Sequence, residues 1–182
     1  LVARRSSDGW IELDFPATPP LPVAPDSERW HEAVALSVAL GVAVKEAAAL
    51  GRNWMLLAAT AQEVRAARPD FSAVAALGDM VVLTAPSDGV LPATATLPKG
   101  IAAADFVSRV FVPAWGIPED PVTGSAHCAL GPFWAPRLGR NEMVGFQAST
   151  RGGVVRVKVA GERVVLGGQA VTTIVGQLSP PA

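Results

Sequence analysis

The sequence predicts an α+β domain in which one mixed sheet is wrapped around a central buried helix. Segments of strand type are mixed with segments of helix type along the 182 residues, which is typical of this fold class. The segment 124–134 is apolar on nearly every face, as expected for a helix that other elements enclose. Within it, Pro132 cannot donate a hydrogen bond to the Cys128 carbonyl, so we expect the helix to kink or break there.

The start of the chain predicts a hairpin followed by a connector. Residues 1–15 alternate apolar and polar side chains around a turn at 6–9, a pattern typical of a β-hairpin. The segment 15–25 holds five prolines, which exclude a helix or a central strand. We therefore expect an extended connector there.

A helix is expected next, from Asp26 or Ser27 to about Leu40, with Gly41 ending it. Its predicted buried stripe consists of Trp30, Ala33, Val34, Ser37 and Val38. The apolar segment 53–59 that follows predicts a short buried strand.

Two short helices are predicted after that strand. Thr60 and Glu63 have the spacing of a capping box, and Pro69 should stop the helix that they open. Asp70 is the expected cap of a second helix, which closes at Gly78.

The rest of the chain outside the central helix alternates strand-type segments with turns. The predicted strands share short runs of apolar and β-branched residues, and they lie at 80–84, 104–112, 145–149, 154–160, 163–166 and 169–177. The polar segment 87–99 contains proline and glycine and predicts a loop.

Composition excludes several classes of function. The 15 basic and 16 acidic residues give a formal net charge of −1, so nothing favours nucleic-acid binding. No apolar segment is long enough to predict a membrane span. A single cysteine excludes an internal disulfide framework and fits a reducing, cytoplasmic compartment. Because 50% of the residues are hydrophobic, we expect some apolar surface to be covered by something outside this chain.

No metal and no cofactor are expected either. The two histidines and the cysteine do not have the spacing of metal ligands. Neither of the glycine patterns that bind nucleotides is present. Cys128 lies among apolar neighbours and is expected to be an inert buried thiol.

The strongest candidate site precedes the central helix, within 116–138. Thr123 is the expected N-cap of that helix. The first amides pointing outward would be those of Gly124, Ser125 and Ala126. Free amides at a helix start bind anions, so a carboxylate can dock there. Asp120 lies just upstream, where it can act as an acid or a base; the alternative is a turn residue before Pro121.

A second polar cluster, STRGG, lies at 149–153. By itself this segment is typical of a charged β-turn. Beside the central motif, Arg151, Gly152 and Gly153 would supply further hydrogen-bond donors to an anionic substrate. Arginine is suited to this role because it binds a carboxylate with two parallel hydrogen bonds.

Three neighbours receive lesser roles. Arg109 is a weaker candidate for the same anion, and Glu119 is expected to be a solvated side chain. His127 is expected to be a hydrogen-bonded helix residue rather than a base. It lies two residues after Ser125, and residues two apart on a helix do not face each other.

The segment 119–128, EDPVTGSAHC, resembles the signature of the phenazine-biosynthesis PhzF-like isomerase family. Further matches follow the family's order along the chain, at 13–17 (LDFPA), 109–113 (RVFVP), 147–153 (QASTRGG) and 164–176. The resemblance implies a diaminopimelate epimerase-like fold. It also implies a cofactor-independent isomerase that moves a proton on a small carboxylate-bearing metabolite, with Asp120 as the catalytic residue in the cleft.

The resemblance further implies that the chain is the C-terminal portion of a longer protein. Residues 1–20 would be a hairpin and connector from an incomplete N-terminal domain, 21–168 the C-terminal domain, and 169–182 a strand returning to the first domain. The missing portion normally carries a catalytic Glu and a His. The chain alone is therefore expected to be inactive, and to form one wall of the cleft beside an N-terminal domain or a complementary chain.

Two further expectations remain open. An uncovered strand at 171–175 would favour a homodimer or pairing with another chain. A hypothesis of a different class is a binding or interaction module that holds a small anion without chemistry. Turnover by the complete protein distinguishes the enzyme from the module.

Overall fold

The structure is a computed structural model that describes residues 2–90 and 101–177. Within them, eleven strands form one mixed sheet. In chain order the strands are β1 (Val2–Arg5), β2 (Ile11–Pro16), β3 (Leu21–Pro22), β4 (Val44–Leu50), β5 (Asn53–Ala58), β6 (Val81–Pro86), β7 (Phe106–Val112), β8 (Ile117–Asp120), β9 (Glu142–Gln147), β10 (Gly153–Ala160) and β11 (Arg163–Gly168). The α-helices of these residues are α1 (Glu28–Leu40), α2 (Ala61–Ala66), α3 (Phe71–Leu77) and α4 (Gly124–Leu138). None of these helices is long and apolar enough to cross a membrane.

The strand order brings two strand ends together. Along the sheet the order is β1-β2-β11-β10-β9-β7-β6-β5-β4-β3, and β8 pairs with β7 beside this path. β9 runs parallel to β7 and pairs with 106–108, whereas β8 runs antiparallel and pairs with 110–112. The carboxyl ends of β8 and β9 therefore meet beside the middle of β7, and this meeting point positions the candidate site.

The buried helix predicted from the sequence is confirmed as α4. Nine of its 15 residues are buried. It packs on β9, β10 and β11, and its core also includes Met55, Val82 and Val110 from β5, β6 and β7. The approach to β10 is close, because a Cβ at Gly131 would lie 2.9 Å from Val157 Cγ1.

Of the two alternatives expected at Pro132, a kink or a break, the break is wrong, since α4 continues through Pro132 and Pro136 to Leu138. Pro132 deprives the Cys128 carbonyl of its helical donor. The backbone N–H of Thr18 donates to that carbonyl instead, at 3.0 Å. Because the connector satisfies the freed acceptor, the helix does not have to end there.

The other three helices pack with β4, β5, β6 and β7 in a second core cluster. The predicted buried stripe of α1 is wrong in part, because Val34 and Val38 are 47% and 78% exposed. The buried residues of this helix are Ala33, Leu36, Ala39 and Leu40. The apolar side chains of α1 are not confined to one side of the helix. Its packing against α3 and β4 therefore decided which side is buried.

The predicted helix ends are confirmed. Ser27 precedes α1 and Gly41 follows it in the left-handed conformation, with φ 67°. Thr60 and Glu63 form both bonds of a capping box before α2. The Asp70 side chain accepts from the first turn of α3.

Three strands were not predicted, and the first of them is the two-residue β3 within the expected connector. β4 has the sequence VKEAAAL, which has low intrinsic strand preference, and its pairing with β5 determines its conformation. β8 is formed from IPED, a segment given no strand in the sequence analysis, and its pairing partner is β7.

The closing strand predicted at 169–182 does not form in the part that the structure describes. Residues 169–177 have no regular secondary structure and pair with no strand edge of the described chain. Val171, Ile174 and Val175 are 85%, 87% and 89% exposed. Without a neighbouring strand, the backbone N–H and C=O groups of this segment cannot form the inter-strand hydrogen bonds of a sheet. Of the loop predicted at 87–99, residues 91–99 lie outside the described residues.

Candidate active site

The candidate site begins with Asp120, the last residue of β8. Asp120 is paired with Val110, which belongs to the core around α4, and paired residues share one face of a sheet. The half-buried carboxylate therefore lies on the α4 side. Its Oδ2 accepts a hydrogen bond of 2.5 Å from the Thr123 hydroxyl. Its Oδ1 makes no hydrogen bond with the described residues.

Gln147, the last residue of β9, holds the backbone around Asp120. This side chain is fully buried. Its Oε1 accepts from the Thr123 N–H at 2.8 Å, and its Nε2 donates to the Asp120 carbonyl at 2.7 Å and to the Thr123 hydroxyl at 3.1 Å. A backbone N–H only donates and a carbonyl only accepts, so these contacts fix which way the amide faces.

Thr123 is the N-cap of α4, as predicted, but its hydroxyl does not cap the helix. The hydroxyl proton is donated to Asp120 and a lone pair accepts from Gln147. The first-turn amides therefore lack the acceptor that a capping threonine usually supplies. The amide of Thr123 is bonded to Gln147 and does not face a ligand.

The other residues predicted to bind an anion at the helix start differ in their exposure to solvent. Gly124 and Ser125 are exposed. Ala126 is fully buried, so its amide is enclosed. The exposed part of the helix start is therefore limited to the amides of its first two residues.

The second predicted cluster packs against the first. The Ser149 hydroxyl donates to the Pro121 carbonyl at 2.8 Å and accepts from the Gly152 N–H at 3.1 Å. Gly152 has φ 70°, which favours glycine. At Gly153, a Cβ would lie 2.2 Å from Val122 Cγ2, so no larger residue fits without a shift.

A cavity of about 820 Å³ opens beside both clusters. The predicted residues that line it are Gly124, Arg151, Gly152 and Gly153. Asp120, Thr123, Ser125 and Ala126 are not in its lining. Much of the remaining wall is apolar and includes Trp10, Phe15, Phe146 and Leu166. The Arg151 side chain makes no hydrogen bond or ion pair with the described residues, so its charge is available to a ligand.

Glu119 and Arg109 are not placed as expected. The Glu119 side chain is 14% exposed rather than solvated, and Arg109 holds it with two hydrogen bonds of 2.7 and 2.8 Å. Arg109 also donates to the Ala67 carbonyl at 2.9 Å. This arginine is fully engaged on the side of the sheet away from Asp120, so it is not free to bind a substrate anion.

His127 is a hydrogen-bonded helix residue, as predicted. Its Nδ1 lies 2.8 Å from the Thr123 carbonyl, which only accepts, so Nδ1 carries the proton. Its Nε2 is buried and has no hydrogen-bond partner among residues 2–90 and 101–177. Burial lowers the pKa of His127 to about 4, and the bond to Thr123 opposes that shift.

Metal ligands and reactive thiols do not add to the site. Within 2–90 and 101–177, no group of three His, Cys, Asp or Glu side chains is placed to hold a metal ion. Cys128 is buried, and desolvation raises the pKa of its thiol.

Gln147 is a site residue that the sequence patterns did not indicate, although its segment carried part of the family resemblance. The available signal was a buried-type strand ending in an amide immediately before the 149–153 loop. A glutamine side chain has both an acceptor oxygen and an N–H donor, so it can bond a backbone N–H and a backbone carbonyl where a strand meets a loop. Its partners, however, lie more than 20 residues away in sequence, so the spacing did not reveal them.

Comparisons with known proteins bear on the family and the fold of the chain. The PhzC-PhzF family model, described as phenazine biosynthesis-like protein, matches residues 3–176. An uncharacterized isomerase of Pseudomonas aeruginosa is 39% identical over 94% of this chain and 58% of its own length. An uncharacterized isomerase of Halalkalibacterium halodurans is 37% identical over 93% of this chain and 57% of its own length.

Solved structures give the same result. A PhzF-family phenazine biosynthesis protein of Enterococcus faecalis superposes with a TM-score of 0.74 and 34% identity, covering 92% of this chain and 56% of that protein. A putative PhzC/PhzF protein of Clostridium difficile gives a TM-score of 0.75 and 27% identity. The chain spans less than two thirds of the length of these relatives. It belongs to the PhzC-PhzF family of phenazine biosynthesis-like proteins, and it has their α+β fold, consistent with the diaminopimelate epimerase-like type.

Proposed function

We propose that this chain forms one wall of the active site of an isomerase that moves a proton on a small carboxylate-bearing metabolite. The observation that carries the proposal is the cavity of about 820 Å³ lined by both the start of α4 and the Arg151 loop. Two relatives that match most of the chain are named isomerases, which supports the reaction class.

The substrate carboxylate would bind between Arg151 and the exposed amides of the helix start. The capping hydroxyl of Thr123 is turned away to Asp120, so these amides keep their hydrogen-bonding capacity for an anion. The guanidinium adds a charge that is not neutralised within the described chain. The apolar wall would contact the rest of the metabolite.

Asp120 would move the proton. A carboxylate oxygen removes H⁺ from a C–H next to an activating group, and the electron pair is delocalised into that group. The proton then returns to the substrate, so no oxidant or cofactor is needed. The free Oδ1 of Asp120 is the proposed acceptor, while Oδ2 is held by Thr123. Since Asp120 does not line the cavity in this chain, the reacting carbon would lie at the cavity edge, beside Val122 and Gly124.

The rest of the site would come from protein outside this chain. The cavity is open, and the relatives are longer than this chain by roughly 40% of their own length. The exposed apolar side chains of Val171, Ile174 and Val175 would be covered either by that additional protein or by a second copy in a dimer. Sedimentation of the complete protein distinguishes these two arrangements.

The test uses the complete protein that contains this chain. It is incubated in D₂O with a panel of 2-amino, 2-hydroxy and β,γ-unsaturated carboxylic acids, and deuterium uptake is read by mass spectrometry. We expect uptake of one deuteron by at least one acid. Asp120→Asn should reduce the rate about 10²- to 10⁴-fold, since general acid–base groups contribute that much. Asp26→Asn is the matched control, because it makes the same change at an exposed side chain before α1.

A rate that is unchanged by Asp120→Asn would refute the catalytic role of this residue. If no acid of the panel exchanges but one of them binds, with affinity lost in Arg151→Gln, the chain is a small-anion-binding module instead.

A further inference from the structure

We propose that Thr123 and Gln147 are positioning residues for Asp120, and that the hydroxyl proton of Thr123 directs the carboxylate while Gln147 directs that hydroxyl. This inference rests on the proposed function, because it assigns the two residues to the proton-transfer step. Neither residue would touch the reacting atoms.

The direction of each hydrogen bond follows from the partners. The Gln147 amide has only one possible orientation, because it faces a backbone donor on Thr123 and a backbone acceptor on Asp120. Its Nε2 therefore presents an N–H to the Thr123 oxygen at 3.1 Å. A hydroxyl that accepts on this side must point its single proton elsewhere, and Asp120 Oδ2 lies 2.5 Å away.

The arrangement uses a hydroxyl that the helix would otherwise need. An N-cap threonine normally accepts from the first turn, and substitution of such a cap destabilises a helix. Here the Thr123 side chain makes no capping bond, although its backbone occupies the N-cap position. The bond to Asp120 thus replaces a capping bond, which a purely structural threonine would retain.

Other contacts hold the backbone of this loop independently of the Thr123 hydroxyl. His127 Nδ1 donates to the Thr123 carbonyl at 2.8 Å, and the Ser149 hydroxyl donates to the Pro121 carbonyl. The Thr123 amide is held by Gln147. Removing only the hydroxyl therefore leaves the backbone anchored while the Asp120 carboxylate loses its hydrogen bond.

The variants are chosen to separate positioning from folding. Thr123→Val removes the hydroxyl at nearly constant shape, and Thr123→Ser retains it. Gln147→Met removes the amide from the buried position at similar length. Each is made in the complete protein, with and without Asp120→Asn, and thermal unfolding is recorded for all.

Turnover is measured with the acid of the panel that the complete protein deuterates fastest. We expect Thr123→Val to lower kcat by about 10- to 100-fold at nearly unchanged KM, because misplacement of a reacting group by about 1 Å costs up to that much. Thr123→Ser should restore most of the rate. In the Asp120→Asn background, Thr123→Val should add little further loss, since coupled residues are not additive. An equal further loss in that background would overturn the inference.

A crystal structure of the Thr123→Val protein gives a measurement that needs no substrate. We expect the Asp120 carboxylate to occupy more than one orientation while the backbone of 120–123 stays in place. A single, unmoved carboxylate would overturn the positioning role. If no acid of the panel is exchanged, the proposed function fails, and the crystal structure alone decides whether Thr123 positions Asp120.

Discussion

Glu119 and Asp120 are adjacent in sequence, yet they lie in two regions with different physical tasks. Glu119 is held on one side of β8 by two bonds from Arg109, and both side chains are largely buried. Asp120 lies on the α4 side with one oxygen bonded to Thr123 and the other without a described partner. Side chains alternate between the two faces along a strand, so these adjacent acidic residues face different surroundings. Glu119 pairs with Arg109 in the fold, whereas Asp120 belongs to the candidate site.

The difference shows where hydrogen-bonding capacity is left for a ligand. On the Glu119 side, the guanidinium of Arg109 is used up by a carboxylate and by the Ala67 carbonyl. On the Asp120 side, the bonds hold the backbone and leave Oδ1, the helix start and Arg151 available. Groups whose bonding is complete stabilise a fold, whereas groups with spare capacity can recognise or transform a ligand.

The largest stability effect should come from breaking the Glu119 side. Arg109→Leu leaves a buried carboxylate without its partner and removes a donor from the Ala67 carbonyl. We expect the free energy of unfolding to fall by about 3–5 kcal/mol. Urea denaturation followed by circular dichroism measures this change.

Arg52→Leu is the control for this prediction. Arg52 pairs with Asp79, but its side chain is 87% exposed. Its removal should change the free energy of unfolding by less than about 1 kcal/mol, because exposed ion pairs contribute little. Equal losses in both variants would contradict the assignment of Arg109 to the fold.

A somewhat smaller loss in the free energy of unfolding is expected from His127, on the Asp120 side of the sheet, as the pH falls. Burial lowers the pKa of His127 from 6.5 to about 4. Between these values the unfolded chain takes up a proton at this residue and the folded chain does not. The free energy of unfolding should therefore decrease as pH falls from about 6.5 to about 4, by up to about 3 kcal/mol from this residue.

Unfolding measured across this pH range in wild type and His127→Asn isolates that contribution. Asparagine retains a donor for the Thr123 carbonyl but does not titrate. We expect the variant to lose part of the pH dependence. The same slope in wild type and His127→Asn would show that His127 is not held neutral.

The smallest effect should come from the contact between the two loops of the site. In Gly153→Ala the new Cβ would meet Val122 Cγ2 at 2.2 Å, so the segment after Asp120 must shift. We expect a loss of about 1–3 kcal/mol in the free energy of unfolding and weaker binding of the panel acids. Gly176→Ala is the control, because a Cβ there meets nothing within 4 Å and the residue does not line the cavity. Identical behaviour of the two variants would contradict the packing between these loops.

Local features of the sequence predicted much of the fold. The hairpin, the capping box at Thr60, the cap at Asp70 and the buried segment 124–134 depend on neighbours within a few residues. Such short-range interactions can be predicted from sequence because the repeat of the helix or strand fixes the spacing of the residues that make them. The family resemblance located both polar clusters, and one cavity is lined by Gly124 of the first cluster and by Arg151, Gly152 and Gly153 of the second.

Long-range pairing decided the rest. β4 is alanine-rich, and its pairing with β5 makes it a strand. Helix α4 continues beyond Pro132, where the N–H of Thr18 in the connector supplies the donor that the Cys128 carbonyl lacks. The same holds in the site, where Gln147, Thr123 and Asp120 meet because β8 and β9 share one edge of β7. The sequence alone determined which residue types stand beside the central helix. Only the tertiary structure decided which of their hydrogen bonds are already occupied, because the partners come from strands far apart in the chain.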